Sequence, residues 1–209
     1  MTDSLLTSLD TAIAQLKRDL EGGAQISTMR NYRFAILVYN PRQEFDLRQK
    51  IQTLSDELRN KDWNVLSISL HYLFLKRVQQ LPPRERDSIA RMEHRQYDKG
   101  DPTRALNYLK DKLSLLIEGK DGIAADVIAV IADFTQKYPI ESDRSLIFLS
   151  RLGSLYPFLR SSSLLKQLDG KTQNLPVVLL YPGSRKDQQS LSFMDELDAD
   201  RDYRPRIYA

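Results

Sequence analysis

The chain of 209 residues reads as a single three-layer α/β domain, 1–209, built on a mostly parallel sheet of about four to five strands. Three observations predict this. Short apolar runs stand at Phe34–Tyr39, Leu146–Leu149 and Val177–Tyr181, each bounded by turn or polar residues. Runs of that length suit strands covered on both faces. Segments with helical apolar spacing separate strand pairs, so right-handed strand–helix–strand crossovers are expected. A run of helical patterns over approximately 70–140 then reads as an insert between two such units.

The elements follow in order. Ser4 is read as the N-cap of a first helix, whose Leu5, Leu9, Ile13, Leu16 and Leu20 share one face, and Gly22–Gly23 ends it. FAILVY at Phe34–Tyr39 is the first strand, stopped by Asn40–Pro41. Leu47, Ile51, Leu54 and Leu58 mark an amphipathic helix over Glu44–Arg59. Glu44–Arg48 and Asp46–Lys50 are expected to pair along it, each adding roughly 0.2–0.5 kcal/mol. Trp63–Ser69 is the second strand and completes a βαβ unit.

Within the insert, Leu70–Leu81 is helical until Pro82–Pro83. Arg84–Arg95 is a densely charged helix with Ile89 and Met92 as its anchors. Asp101–Pro102 reads as N-cap and first residue of the next helix, which carries Leu106, Leu109, Leu113 and Leu116 and stops near Gly119. Ile123–Phe134 is apolar enough for a strand, yet Asp126, Asp133 and Lys137 fall on one helical stripe, so a mostly buried helix is expected.

The second βαβ unit comprises Ser145–Ser150, a helical segment bearing Leu155, Phe158, Leu159, Leu164, Leu165 and Leu168, and Val177–Tyr181. Leu191–Leu197 reads as a short helix. Tyr203–Tyr208 reads as an edge strand, since Pro205 argues against a central position.

Composition narrows the function classes. A net charge of +3 is mild for a protein that coats DNA. The charge is unevenly placed, however. Seven basic residues face two acids over Asp143–Lys186, and six acids face Arg201 alone over Asp187–Asp202. These adjacent blocks either neutralise each other in the fold or leave a binding face. Without cysteine, disulfides and thiolate metal sites are excluded. No apolar run is long enough to span a membrane, and MTDSLLTSLD lacks the charge pattern of a signal peptide, so a cytoplasmic location is expected.

Catalytic patterns are missing. The loop Asn40–Glu44 stands where a phosphate-binding loop would be, but it has neither glycine nor lysine. His71 sits among apolar residues, and His94 lies on a charged helix. Ser161–Ser163 offer hydroxyls with no histidine placed to activate them, and read better as a helix cap. Asp198, Asp200 and Asp202 lack the glycine turn and closing glutamate of a calcium loop. No enzyme activity, cofactor or metal is therefore expected.

The last third of the chain carries a resemblance. A strand ending in LSRLGSLYPFLRSSSLLKQLDG, followed by PVVLLYPG, LSFM and DYRPRIYA, resembles the BrxB family of bacterial BREX phage-defence systems. The matching positions include Gly153, Tyr156, Pro157, Phe158, Arg160, Ser161, Leu164, Leu165, Pro182, Gly183, Phe193, Tyr203 and Arg204. After YPG the chain departs, with Ser184–Arg185–Lys186–Asp187 where the family usually has a tyrosine or similar residue and a glycine. The resemblance implies a small accessory protein encoded beside a large ATPase, an adenine-specific DNA methyltransferase and an alkaline-phosphatase-like PglZ protein. Those BREX proteins are its expected partners, and any DNA contact is expected to be indirect.

If Ser145–Ser150 is central, Arg151 lies at its carboxyl end and Arg160 near the start of the next helix. Open α/β sheets bind ligands at that edge. Arg42 and Arg185 approach the same edge in a parallel sheet, and guanidinium groups favour carboxylate or phosphate. The candidate binding set, for a partner protein or an anion, is therefore Arg42, Arg151, Tyr156, Arg160, Ser161, Tyr181 and Arg185. Arg160 equally suits an ion pair within the fold, with Asp195–Asp202 as the source of the carboxylate. Tyr156, Phe158 and Tyr181 suit packing better than base stacking. Two functions stand: a non-enzymatic adaptor of a defence complex, or a nucleic-acid- or nucleotide-binding protein using the basic edge.

Overall fold

A computed structural model describes residues 2–22, 33–119, 121–137, 144–185, 190–196, 200–201 and 205–209. Helix α1 spans Thr2–Glu21, strand β1 Phe34–Tyr39, helix α2 Glu44–Arg59 and strand β2 Asn64–Ser69. The insert supplies α3 (Leu70–Gln80), α4 (Pro83–Asp98), α5 (Pro102–Ile117) and α6 (Ile123–Lys137). Strand β3 (Ser145–Ser150), helix α7 (Ser161–Leu168) and strand β4 (Val177–Arg185) follow, then the short strands β5 (Ser190–Phe193), β6 (Asp200–Arg201) and β7 (Arg206–Tyr208).

Five strands run parallel in the order β2-β3-β4-β1-β7, while β5 pairs antiparallel with β4, and β6 with β5. The α/β class and the mostly parallel sheet agree with the sequence reading. Every residue of β1 is buried, as its continuous apolar run requires of a strand covered on both sides. β2 alternates in burial and lies at the sheet's edge. Although α2 joins β1 to β2, the two strands are not neighbours, because β3 and β4 lie between them.

The sheet separates two cores. On one face, Leu9, Leu16 and Leu20 of α1 and Leu47, Ile51, Leu54 and Leu58 of α2 pack over Leu37, Phe148, Val178 and Leu180. On the other, α3, α5, α6 and α7 cover Ile36, Ile147, Leu149, Val177 and Leu179. Helix α1 is fastened to α2 and the turn that follows it by ion pairs of Lys17 with Glu57, Lys50 with Asp10, and Lys61 with Glu21. Lys50 thus pairs between helices, where the expected partner was Asp46 on its own helix. The expected Glu44–Arg48 pair forms at 3.7 Å.

β7 is an edge strand, as Pro205 suggested, and it lies parallel to β1. The reading of Asp101 as N-cap holds, since its side chain accepts a hydrogen bond from the Arg104 N–H. The ambiguous apolar segment is helix α6, with Lys137 bonded to Asp133 at 2.7 Å.

Three expectations are corrected. The segment after β3 is not one helix. Leu152–Leu155 form a 3-10 turn, the Tyr156–Pro157 peptide is cis, and the α-helix begins only at Ser161. A proline lacks the N–H that an uninterrupted helix would use at this point. The helix expected over Leu191–Leu197 does not form: Leu191–Phe193 belong to strand β5, because β4 runs on to Arg185 and Leu191 pairs with it, Met194–Glu196 are a turn, and Leu197 lies outside the described residues. Ser4 lies inside α1, and Ser161–Ser163 lie inside α7, whose cap position is Arg160. Of the acidic trio, Asp198 and Asp202 lie outside the described residues, as do Tyr203 and Arg204.

Candidate functional site

The site grows from three adjacent strands, β3, β4 and β1, whose carboxyl ends point the same way. The chain leaves β1 for α2 on one face of the sheet and leaves β3 for α7 on the other. Opposite departures of this kind open a crevice, and ligands of doubly wound sheets settle there. Here the crevice carries the chain's own hairpin. β4 continues past the sheet through Pro182 and Gly183 and turns back as β5.

The hairpin is packed by the motif residues. Phe193 lies against Tyr181 at 5.4 Å between ring centres and against Tyr156 at 5.8 Å. The Tyr181 hydroxyl donates to the Leu191 carbonyl at 3.4 Å, and the Tyr156 hydroxyl donates to Glu196 Oε2 at 3.0 Å. That bond raises the Tyr156 phenol above its ordinary pKa. A side chain on Gly153 would stand 3.2 Å from Pro182 Cγ and 3.3 Å from Met194 Sδ. A Cβ on Gly183, at φ +153°, would come within 2.0 Å of the Ser192 carbonyl oxygen. Phe158 stacks on Phe74 at 6.1 Å and ties the loop to α3. The YPF and YPG residues are thus one packing unit, although more than twenty residues separate them in the chain.

The arginines divide. Arg151 follows β3 with left-handed backbone angles, φ 63° and ψ 31°. A side chain with a Cβ seldom adopts that region, and such strain concentrates at functional positions. Nearby, the Tyr39 hydroxyl donates to Glu44 Oε2. Burial, and then that bond, hold the Tyr39 phenol far above its usual range, while the charges of Arg151 and Arg48 act in the opposite sense. Arg151 therefore stands within electrostatic reach of the Tyr39–Glu44 pair at the end of β1. Arg48 Nε donates to the Glu44 carbonyl at 3.3 Å.

Arg42 is exposed on the 3-10 turn Pro41–Gln43, which Asn40 caps by accepting from the Arg42 N–H at 3.0 Å. Arg160 is exposed at the cap position of α7 and makes no ion pair among the described residues. Ser161 is buried in the first turn of α7. Arg185 is exposed at the far end of β4. Tyr156 and Tyr181 belong to the packing unit, so of the candidate arginines Arg151 is the one within electrostatic reach of Tyr39 and Glu44, while Arg42 is exposed on the turn that joins them in the chain.

Sequence reasoning missed the Tyr39–Glu44 pair. Its only signal was a tyrosine closing an apolar strand five residues before a helix's first acid. Among the described residues, no cluster of His, Cys, Asp or Glu is arranged to hold a metal ion, and no helix is long and apolar enough to cross a membrane.

No curated protein and no solved structure matches the chain. A family model does, described as BREX protein BrxB, over residues 66–207. That span holds β3, the YPF loop, the hairpin and the whole helical insert, so the chain belongs to the BrxB family and is a component of a BREX phage-defence system.

Proposed function

We propose that this chain is a non-catalytic adaptor subunit, holding larger BREX proteins together rather than turning over a substrate. One observation carries the reading. The crevice at the switch point, where folds of this topology place a ligand, is filled by the β4–β5 hairpin and the rings of Tyr156, Tyr181 and Phe193. The β1–α2 loop supports it, because a loop without glycine offers no cradle of backbone N–H groups to a phosphate. The PglZ-type protein and the BREX ATPase are the proposed partners, with the methyltransferase third.

The test uses separately purified, nuclease-treated proteins. Direct association with PglZ or the ATPase, unchanged by DNA removal, is the expected result. An association that vanishes once DNA is digested overturns the adaptor reading.

A second reading has one observation in its favour, the strained backbone of Arg151 at the sheet's carboxyl edge. There the basic edge binds nucleic acid or a nucleotide. Affinity for a DNA duplex should then fall steeply with salt and weaken in the Arg151→Ala, Arg160→Ala double variant. Absence of binding at about 50 mM salt removes this reading.

A further inference from the structure

The rings of Tyr181 and Phe193 belong to the core that α7 covers, whereas Tyr39 belongs to the core under α2. Around Tyr39 the carboxyl edge of the sheet carries polar groups with nothing to bond. Among the described residues, four buried side-chain atoms lack a hydrogen-bond partner. Two of them, Gln43 Nε2 and Ser184 Oγ, follow the adjacent strand ends of β1 and β4. Gln43 is 8 % exposed and stands at the N-cap position of α2 without capping it. A buried amide left unbonded destabilises a fold, so such groups are rare and mark a water, an ion or a ligand.

Register brings these groups to one place. Tyr39 lies opposite Pro182 in the last pair of β1 with β4, and Ser184 stands two residues further on. The Gln43 N–H donates to the Asn40 carbonyl at 2.8 Å, so the 3-10 turn folds Gln43 back over the strand end. Across β4, Leu149 lies opposite Leu179, which sets Arg151 level with Tyr181, one row short of that last pair. Neighbouring strands are about 4.8 Å apart, so about 10 Å separates the ends of β3 and β1. The charge of Arg151 is felt across that gap at the Tyr39 phenol. Arg151 is half-buried, and among the described residues its side chain makes no ion pair or hydrogen bond.

We propose that Gln43, Ser184 and Arg151 form an anion site that takes one carboxylate group. A guanidinium and an amide N–H can only donate, and a hydroxyl can donate, so the ligand must accept. Glu44 does not fill this role, because its Oε2 holds the Tyr39 hydroxyl and its Oε1 faces Arg48 at 3.7 Å. Arg42 and Arg48 are exposed, which leaves one half-buried positive charge to be matched. A carboxylate carries one negative charge and meets a guanidinium with two parallel bonds. Phosphate fits less well, since the loop after β1 has no glycine to turn backbone N–H groups toward it. The site stands independently of the adaptor reading and accepts the carboxylate of a free small acid or of a protein.

Acetate is the probe, compared with chloride and inorganic phosphate at equal ionic strength in the wild type, Gln43→Met and Arg151→Gly. Binding is followed by backbone amide NMR shifts, and stability by thermal unfolding. The expected result is saturable acetate binding, with shifts confined to the ends of β1, β3 and β4, that weakens at least about tenfold in either variant. Gln43→Met keeps the side chain's length without its amide, so in chloride it should unfold at no lower temperature than the wild type. No saturable shift with acetate, or binding that survives both substitutions, overturns the site. A Gln43→Met chain that unfolds at lower temperature, with no response to acetate in the wild type, shows that water bonds the amide and also overturns it. Phosphate bound more tightly than acetate overturns the carboxylate. Competition separates the two sources. Acetate that loosens association with a purified BREX protein assigns the carboxylate to that protein, and acetate bound without that effect assigns it to a free acid. Failure of every BREX protein to associate overturns the adaptor reading alone.

Discussion

Arg77 and Asp126, 49 residues apart, meet as a two-pronged pair, with Arg77 Nε and Nη2 each donating to a different oxygen of the carboxylate. The same guanidinium also donates to the carbonyls of Leu116 at 3.0 Å, Asp121 at 2.7 Å and Gly122 at 2.7 Å. One side chain of α3 therefore satisfies the carboxyl end of α5, the following turn and the amino end of α6. The planar fork of arginine is what allows this, and lysine cannot reproduce it. Through this junction the exposed α4–α5 arm is held to the sheet.

Removing the fork should loosen the insert before it harms the sheet. Arg77→Ala leaves three carbonyls and a carboxylate without their donor, and should cost about 2–3 kcal/mol in urea unfolding. Arg77→Lys should fall between that variant and the wild type. Hydrogen exchange should quicken first in α5 and α6. A change below about 0.5 kcal/mol would show that water replaces the guanidinium at no cost.

Two glycines separate crowding from backbone strain. Gly183→Ala brings a Cβ within 2.0 Å of the Ser192 carbonyl, so the hairpin must open, and a loss of about 2–4 kcal/mol is expected. Gly170 has φ +70° and open space, with no atom within 4 Å of the place a Cβ would take, so Gly170→Ala should lose only about 1–2 kcal/mol. Thermal unfolding of both variants decides the order. Equal losses would mean that the hairpin yields without strain.

Much of this fold was legible because its central strands are continuous apolar runs and its long helices carry single stripes. FAILVY and SLIFLS could be little else. Asp126, Asp133 and Lys137 marked α6 as a helix, but nothing local showed that Asp126 faces Arg77. The crossover before α7 misled for a physical reason. Tight turns also set apolar residues three and four apart, so Leu155, Phe158 and Leu159 mimic a helix that Pro157 interrupts. LSFM was too short to show its period, and its strand character comes from pairing with the continuation of β4. Strand order, and with it the filled crevice, depends on contacts between distant segments. The candidate arginines could be named, but which stand beside Tyr39 and Glu44 could not.

Alkaline pH should weaken the fold through its buried phenols. Tyr208, in the last strand, donates to Asp19 Oδ2 at 2.8 Å, and Arg206 holds the same carboxylate at 2.7 Å. Burial first, then the bond to Asp19, raise the Tyr208 phenol above its ordinary value of 10.0, and Tyr39 is raised in the same direction. In the unfolded chain both ionise near the ordinary value, whereas in the folded chain they stay neutral. Their contribution to stability is thus complete below the ordinary value and is lost progressively as pH rises above it. Tyr208→Phe should cost about 1 kcal/mol at neutral pH, for the lost bond, and should flatten the alkaline decline. Urea unfolding from about pH 8 to about pH 11 measures both. A slope unchanged by Tyr208→Phe and by Tyr39→Phe would mean that neither phenol is protected.

Arg151 offers the sharpest separation of stability from function. Its left-handed backbone costs about 1 kcal/mol relative to glycine, which enters that region freely. If the fold alone set this position, glycine would serve it better than arginine. Arg151→Gly is therefore expected to match or exceed the wild type in stability by up to about 1 kcal/mol, while losing whatever the guanidinium binds. The charge also opposes the rise in the Tyr39 phenol, so its removal should push that phenol still higher. A stability gain accompanied by weaker association with the partner or with DNA would assign Arg151 to binding. A large loss of stability would instead make it a structural residue of the β3 turn.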